Sequence, residues 1–563
     1  MEKEVSRRRF LQGAGIVAAG AVSTGLVACT TTPAPKEPEK PKEQWDAEFD
    51  VVVLGYGAAG ANAAVAAYEK GAKVLLSEKA PEGEEGGNSV PSGQFVMATD
   101  DAQQLYIYLT ALMGKFLNWD HEAMMAYCEG CAGNWKWMTE TLGGDPDIIC
   151  GREFPTAPSE QSQTRSWRLM KNPWGLNRDG YVYVWDEFPE LEGSQHCMCL
   201  TATGTRFDEG YYRLCQKAVQ KRLGDKLEIW FAAPGKKLLT NADGDVIGLI
   251  INKAGKDMKV KVNGGVVLAT GGFEHNPEMI ASYLQQPYVH QRGGLFNDGD
   301  GIKMAMEIGG DLWHMSNSAG FSYTYQDPDK ALATGGPTSS IGVYVGLGGA
   351  RFMNETAQNR HGRINIGGRW ISTPMPLPTY CVHDADQLSR KFMASFSEGY
   401  KDEIAAKKVI TGATLEELAK NIRESNGGKD APQFDTDVFV KAINKYNAAY
   451  DANVDADYGR PRSNMVPVRK GPFYALKIGP TYFNTMGGPR RNKFAQVIHV
   501  NGLPIQGLFS AGELGSIYCD MYNGSGNLGE TMVFGRIAGQ NAADRAKGEF
   551  KGATEKATIW QGK

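Results

Sequence analysis

The sequence predicts an α/β fold whose first unit is a Rossmann-like dinucleotide-binding domain. Three observations predict it: a strand–turn–helix–strand pattern over residues 48–78, a glycine-rich turn inside it, and an acid closing the second strand. Residues 49–54 (FDVVVL) form a continuous apolar run of the kind that fills a parallel sheet. Gly55-Tyr56-Gly57-Ala58-Ala59-Gly60 follows. Gly55 permits the tight turn, Gly57 lets a pyrophosphate approach the backbone, and Gly60 lets the helix pack close to the strand. A helix follows over residues 61–71 (ANAAVAAYEKG), its N-terminus facing the phosphates. Residues 73–78 return as a strand. Glu78, 18 residues past Gly60, can accept from ribose hydroxyls, and Lys79 follows it.

Composition sets the bounds. At 563 residues the chain is long for one domain, and a 42% hydrophobic content supplies a sizeable core. A net charge of −4 carries no basic excess, so nucleic acid is not an expected partner. The 69 glycines exceed the usual ~7% and suit a backbone that approaches a large ligand at many places.

Residues 1–29 read as an export segment. Arg7-Arg8-Arg9-Phe10-Leu11 precedes a mild apolar run over 13–28, which resembles a twin-arginine signal. The run is shorter than the roughly 20 residues of a membrane span. Leu26-Val27-Ala28-Cys29 looks like a lipobox, with ordinary cleavage as the alternative. A lipidated Cys29 would hold the protein on the outer face of the cytoplasmic membrane. Residues 30–47 are rich in Thr, Pro, Lys and Glu and read as an extended tether.

Among the nine cysteines, Cys128 and Cys131 form a C-x-x-C within a helical pattern, and Cys197 and Cys199 a C-x-C. Buried thiols are the plain reading. An iron–sulfur cluster of Cys128 and Cys131 with Cys150, Cys197 or Cys199 is the alternative, without ferredoxin-like spacing, and no metal site is assigned. Six tryptophans (Trp119, Trp135, Trp137, Trp167, Trp174 and Trp185) serve either core and lid packing or the walls of a broad apolar pocket.

Further motifs follow in order: Gly86-Gly87-Asn88-Ser89 with Ser92-Gly93; a hairpin pattern over 236–250 around Asp243-Gly244; Ala269-Thr270-Gly271-Gly272-Phe273; residues 297–301 (NDGDG); and 351–355 (RFMNE). Then come 484–488 (NTMGG), 507–513 (GLFSAGE), and Gly526-Asn527-Leu528 opening a last helix. Over roughly residues 48–546 this set resembles the flavoprotein family of soluble fumarate reductases, urocanate reductases and 3-ketosteroid dehydrogenases. The resemblance implies FAD as cofactor, bound by the fingerprint residues with Glu78, Lys79, Gly87, Asn88, Ser89, Gly93, Ala269, Thr270, Gly271, Asp298, Gly488, Gly512, Glu513, Gly526, Asn527 and Leu528. It also implies an α+β capping domain inserted into the FAD-binding domain. The expected division is 48–316 and 483–546 for FAD binding, 317–482 for the cap, and 547–563 for a tail.

The same resemblance marks where this chain departs from fumarate reductases, which hold a dicarboxylate with cations. The family's substrate histidine is Asn484, a donor without charge. Tyr323 and Tyr325 stand where a histidine segment is expected. The relay glutamate and arginine would fall near 333–341, a stretch that holds neither. The proton-donor arginine position is Asn359, with Arg360 next to it and Arg363 a rival. The loop that should bring a second carboxylate-binding arginine, 522–526, has none. A dicarboxylate left unpaired in a dry site is costly, so a different acceptor is expected. That loop, Tyr522-Asn523-Gly524-Ser525-Gly526, is similar to the Y-P-G-x-G loop of ketosteroid dehydrogenases, with Asn523 in place of proline. There the tyrosine hydroxyl and the last glycine's N–H polarise a ketone oxygen.

The expected reaction is hydride transfer from reduced flavin to the activated C=C bond of an unsaturated carbonyl compound. Tyr522 and Gly526 would hold its oxygen, and Arg360, Tyr323 or Tyr325 would supply the proton. No second nicotinamide fingerprint follows the first, so a separate cytochrome or quinol-linked donor is expected. The rival readings are a ketosteroid-type dehydrogenase running oxidatively and a non-catalytic, lipid-tethered flavin carrier.

Overall fold

The apolar run over 49–54 becomes a central strand, Ala47–Leu54, of an eight-stranded sheet. Its order is Gln496–Ile498, Pro504–Ser510, Lys256–Leu268, Ala47–Leu54, Val74–Ser77, Leu227–Trp230. The inner pairings are parallel and the pairing of Gln496–Ile498 at the edge is antiparallel. The hairpin Gly235–Thr240 and Val246–Lys253, turning at the expected Asp243-Gly244, adds to Lys256–Leu268. The computed structural model describes residues 44–554 and 556, apart from 115–118, 150–165, 172, 174–180, 204–207, 291, 321, 331–332, 334–341, 357–360, 368, 374 and 430. Cys29, Cys150, Trp174 and Arg360, the Trp167 side chain, the export segment and most of the tether therefore lie outside the described residues. Residues 45–563 form one compact unit.

Alternation along the central strand serves two cores. Val51 and Val53 face a helical layer, while Val52 and Leu54 face a second cluster with Leu238, Leu249 and Ile302. Each such fully buried aliphatic side chain contributes about 1.5–3 kcal/mol. The helical layer is built on Ala58–Glu69, whose residues 58–67 are all buried. The last helix, Gly526–Ala546, lies against it. A Cβ on Gly535 would stand 2.7 Å from the Ala59 carbonyl oxygen, and one on Gly539 would collide with the Ala63 carbonyl. Two glycines four residues apart thus let the backbones nearly touch. Asn62 is buried in this layer, with its Nδ2 donating to the Ala58 carbonyl at 2.8 Å and its Oδ1 accepting from Trp137 Nε1 at 2.7 Å. Trp137 is therefore a packing tryptophan, as is the buried Trp119.

Cys128 and Cys131 lie one turn apart on the helix His121–Ala132, and both are buried thiols, as are Cys197 and Cys199. Burial pushes the Cys131 thiol up to about 12. Among the described residues no group of His, Cys, Asp and Glu has the arrangement of a metal site.

The chain leaves the sheet layer through Ser318–Ala319 and returns through Asn484–Thr485. These two segments pair antiparallel, Ala319 opposite Asn484. Between them lies a five-stranded antiparallel sheet of Ser322–Thr324, Phe473–Thr481, Thr379–His383, Val343–Val345 and Val409–Gly412. The helices Leu415–Glu424 and Thr436–Asp451 cover one face. The first begins at Leu415. Thr414 caps it by accepting from the Glu417 N–H at 3.2 Å, and Glu417 accepts from the Ala413 N–H at 2.8 Å. The RFMNE motif is structural. Arg351 grips Glu355 through two bonds of 2.9 and 3.0 Å, and Arg460 and Asp455 complete a buried ion network.

Candidate active site

A cavity of about 540 Å³ runs from the fingerprint turn to the loop at 522–526. At its first end, Gly55 (φ 101°) turns the chain so tightly that a Cβ would collide with the Ala269 carbonyl. The helix N-terminus follows at once. Its first residue, Ala58, donates its N–H to Ser89 Oγ at 2.9 Å, which ties the GGNS segment to the turn. Glu78 is buried and accepts the Tyr56 N–H at 2.5 Å and the Ala80 N–H at 2.7 Å. Lys79 bridges Asp298 and, at 2.9 Å, Asp300. Gly57, Ala58, Ala59, Glu78, Lys79, Gly87, Asn88, Ser89, Gly93, Ala269, Thr270, Gly271, Asp298, Gly512, Glu513, Asn527 and Leu528 all line this one cavity. Gly60 sits behind the turn, where a Cβ would collide with the Gly55 carbonyl. Gly488 does not line the cavity. It pairs with Trp313 in a short ladder and lies too close to Gly515 for any side chain, so its requirement is packing and not cofactor contact.

At the other end the expectations divide. Tyr522 and Asn484 line the cavity. The Tyr522 hydroxyl oxygen accepts the Asn527 N–H at 3.4 Å, and burial pushes its phenol well above the usual range. Gly526 departs from its expected role. Its N–H is already given to the Asn523 carbonyl at 3.0 Å, closing the turn, and its own carbonyl accepts the Tyr127 hydroxyl at 2.9 Å. It is not free to hold a substrate oxygen. Tyr323 and Tyr325 are also elsewhere. They pack in the antiparallel sheet's other core with Tyr344, Phe352 and Phe396, and neither lines the cavity. Burial pushes the Tyr325 phenol up to about 12, unsuited to proton delivery. Arg363 is committed to Asp520 at 2.5 Å and Asn317 at 2.6 Å. Of the six tryptophans only Trp185 lines the cavity among the described residues.

Three charged or titratable residues that sequence reasoning passed over take their place. His361 and Glu187 both line the cavity, and His361 Nε2 meets Glu187 Oε2 at 2.6 Å. The His361 ring stands edge-on to Tyr522, centroids 4.7 Å apart. Glu187 also accepts the Gly524 N–H at 3.1 Å, so one carboxylate fixes both the imidazole and the loop. Asn523 explains how the loop dispenses with proline: its Oδ1 accepts the Tyr108 hydroxyl at 2.6 Å and the Glu187 N–H at 3.1 Å. The third is Arg292, which lines the cavity over the Phe483 ring.

Among the described residues, buried polar atoms along the cavity without a hydrogen-bond partner include Thr270 Oγ1, Asn297 Nδ2, Ser322 Oγ, Asn484 Nδ2, Ser525 Oγ and Asn527 Oδ1. Orphaned groups of this kind are costly unless a ligand satisfies them. The glycine turn, the buried acid and this long file of unmet donors and acceptors fit a dinucleotide ending in a ring system.

Fold and site together define a dinucleotide-dependent redox enzyme with an acid–base corner. Residues 50–528 match the FAD binding domain family, and the chain belongs to it. It is an FAD-dependent oxidoreductase of the fumarate reductase-like group acting on CH–CH bonds. It is 28% identical to a probable fumarate reductase of Shewanella frigidimarina, over 91% of this chain and 81% of that protein. It is 25% identical to a 3-oxosteroid 1-dehydrogenase of Mycolicibacterium smegmatis, over 90% of this chain and 99% of the relative. In fold it is similar to a 3-ketosteroid Δ1-dehydrogenase from Sterolibacterium denitrificans, at a TM-score of 0.63 and 20% identity, covering 88% of this chain and 99% of that one.

Proposed function

We propose that the protein is a reductase of an activated C=C bond in an α,β-unsaturated carbonyl-type substrate. The observation that carries the reading is the His361–Glu187 pair set against Tyr522 at the end of the FAD cavity. When bound and reduced, FAD supplies the hydride. The protein must then hold the conjugated oxygen and deliver a proton to the α-carbon. Tyr522 suits the first task. Its hydroxyl oxygen accepts from Asn527, which leaves its O–H to donate, and burial keeps that O–H protonated. His361 suits the second. Glu187 holds Nε2, so Nδ1 is the ring nitrogen left to give a proton. Residues 317–482 act as the cap in this reading. The electrons come from a separate cytochrome or quinol-linked donor, on the outer face of the membrane to which Arg7-Arg8 and Cys29 would direct the chain.

The oxidative, dehydrogenase reading keeps Tyr522 but loses its second donor, because the Gly526 N–H is spent within the loop. The test is an anaerobic one. The purified holoenzyme is reduced with dithionite and mixed with unsaturated acids, enones, lactones and fumarate while flavin absorbance is followed. Rapid re-oxidation by unsaturated monoacids or enones is expected. Bleaching of oxidised flavin by saturated ketones, with no response to any alkene, would overturn the reading.

A further inference from the structure

We propose that Arg292 is an anchor for a single negative charge on the substrate, which makes the substrate class unsaturated monocarboxylates. This rests on the reductase reading and narrows it. Phe483 is the hub of the arrangement. The Arg292 guanidinium carbon lies 4.2 Å from the centre of its ring, and Gly320 packs against the ring's edge so closely that any Cβ there would collide. The next residue, Asn484, and the nearby Ser322 both line the cavity. Among the described residues Asn484 Nδ2 and Ser322 Oγ are each buried without a hydrogen-bond partner. Two unmet donors and a cation thus belong to the crossing where the chain enters and leaves the antiparallel sheet.

Arg292 makes no hydrogen bond and no ion pair with any other described residue, though it is half-buried. The backbone behind it is fixed, because Gly294 donates its N–H to Asn88 Oδ1 at 2.8 Å. Burial without a counter-charge pulls the guanidinium below its usual range, yet it remains a cation at any physiological pH. A desolvated and uncompensated cation in a ligand cavity is costly until an anion arrives. A planar guanidinium flanked by neutral N–H and O–H donors matches a carboxylate, which takes two parallel bonds from the fork. One such cation accounts for one carboxylate. The same chemistry would serve a phosphate of the cofactor, and the experiment separates the two sources.

Acrylate, crotonate, cinnamate and urocanate, each with its methyl ester, are titrated into oxidised holoenzyme and then used to re-oxidise the reduced form. The same is done for Arg292→Gln, and the affinity of each apoprotein for FAD is measured. The wild type is expected to prefer at least one acid over its ester, and the variant to lose about 100-fold of that preference with FAD affinity unchanged. An unchanged acid-to-ester ratio overturns the proposal. So does a variant that loses FAD affinity instead, which would assign Arg292 to the flavin's phosphates. Because the titration into oxidised enzyme needs no turnover, an acid can bind through Arg292 even if no alkene is reduced. That outcome would retain the anchor and sink the reductase reading.

Discussion

Glu274 and Glu513 accept hydrogen bonds from the same atom, Asn88 Nδ2, at 2.7 Å each. Glu274 is buried and Glu513 is half-buried at the cavity wall, and Thr485 Oγ1 lies 3.4 Å from the far side of Glu274. One amide cannot neutralise both charges, so the pair holds a proton that isolated carboxyls would have lost. Burial pushes Glu274 up to about 7, and burial with the charge of Glu274 pushes Glu513 up as well.

The sign of the stability effect follows. The folded pKa of Glu274 lies above the ordinary 4.5, so between the two values the folded state binds more protons than the unfolded one. Stability is therefore full below about pH 4.5 and declines as pH rises through about 7. Thermal unfolding from pH 5 to 8 should show the decline, and Glu274→Gln should flatten it. A variant with the same slope as the wild type would remove the pair from the explanation.

His361→Gln should lower kcat by about 10²–10⁴ while leaving FAD content near that of the wild type. The reason is that His361 contacts Glu187 and Tyr522 at the loop end of the cavity, away from the fingerprint turn. Glu187→Gln should lower kcat too, since it removes the carboxylate that fixes the imidazole at Nε2. A large loss of flavin in His361→Gln, with normal turnover per bound flavin, would make the histidine a structural residue.

Gly539→Val places a branched side chain where the Ala63 carbonyl already stands. The two helices must part, at a cost of about 1–3 kcal/mol typical of overpacked cores. A lowered Tm and weaker FAD retention are expected together, because Ala58 and Ala59, on the partner helix, line the cofactor cavity. Unchanged unfolding would mean the helices have slack that the close approach denies.

The nucleotide end of the site was legible in the sequence because its determinants are short-range. Residues 55–60 and Glu78 lie within one strand–helix–strand unit, and each glycine answers a local steric demand. The catalytic end was not. His361 and Glu187 are 174 residues apart and meet only through the loop that Asn523 buckles. Family spacing pointed to Asn359, with Arg360 beside it and one residue short of the histidine. Tyr323 and Tyr325 misled for the opposite reason: large apolar rings on a strand pack first, and the sheet core claimed them. Arg292 stands at none of the family's cation positions; it comes from the glycine-rich segment before residues 297–301. Gly526 was read by motif, and a backbone N–H closing its own turn leaves no mark in a sequence.

The fingerprint helix is among the first elements of the described chain and Gly526–Ala546 is the last, yet they share one interface and one cofactor cavity. This has a consequence for biosynthesis. Until residues 511–531 have left the ribosome, the seat formed by Ala511, Gly512, Glu513, Asn527, Leu528 and Thr531 does not exist. Residues 58–67, buried in the finished protein, lack the cover of the last helix until then. A complete flavin seat therefore forms only after residues 511–531 have emerged, and an intermediate that lacks them leaves apolar surface open to aggregation.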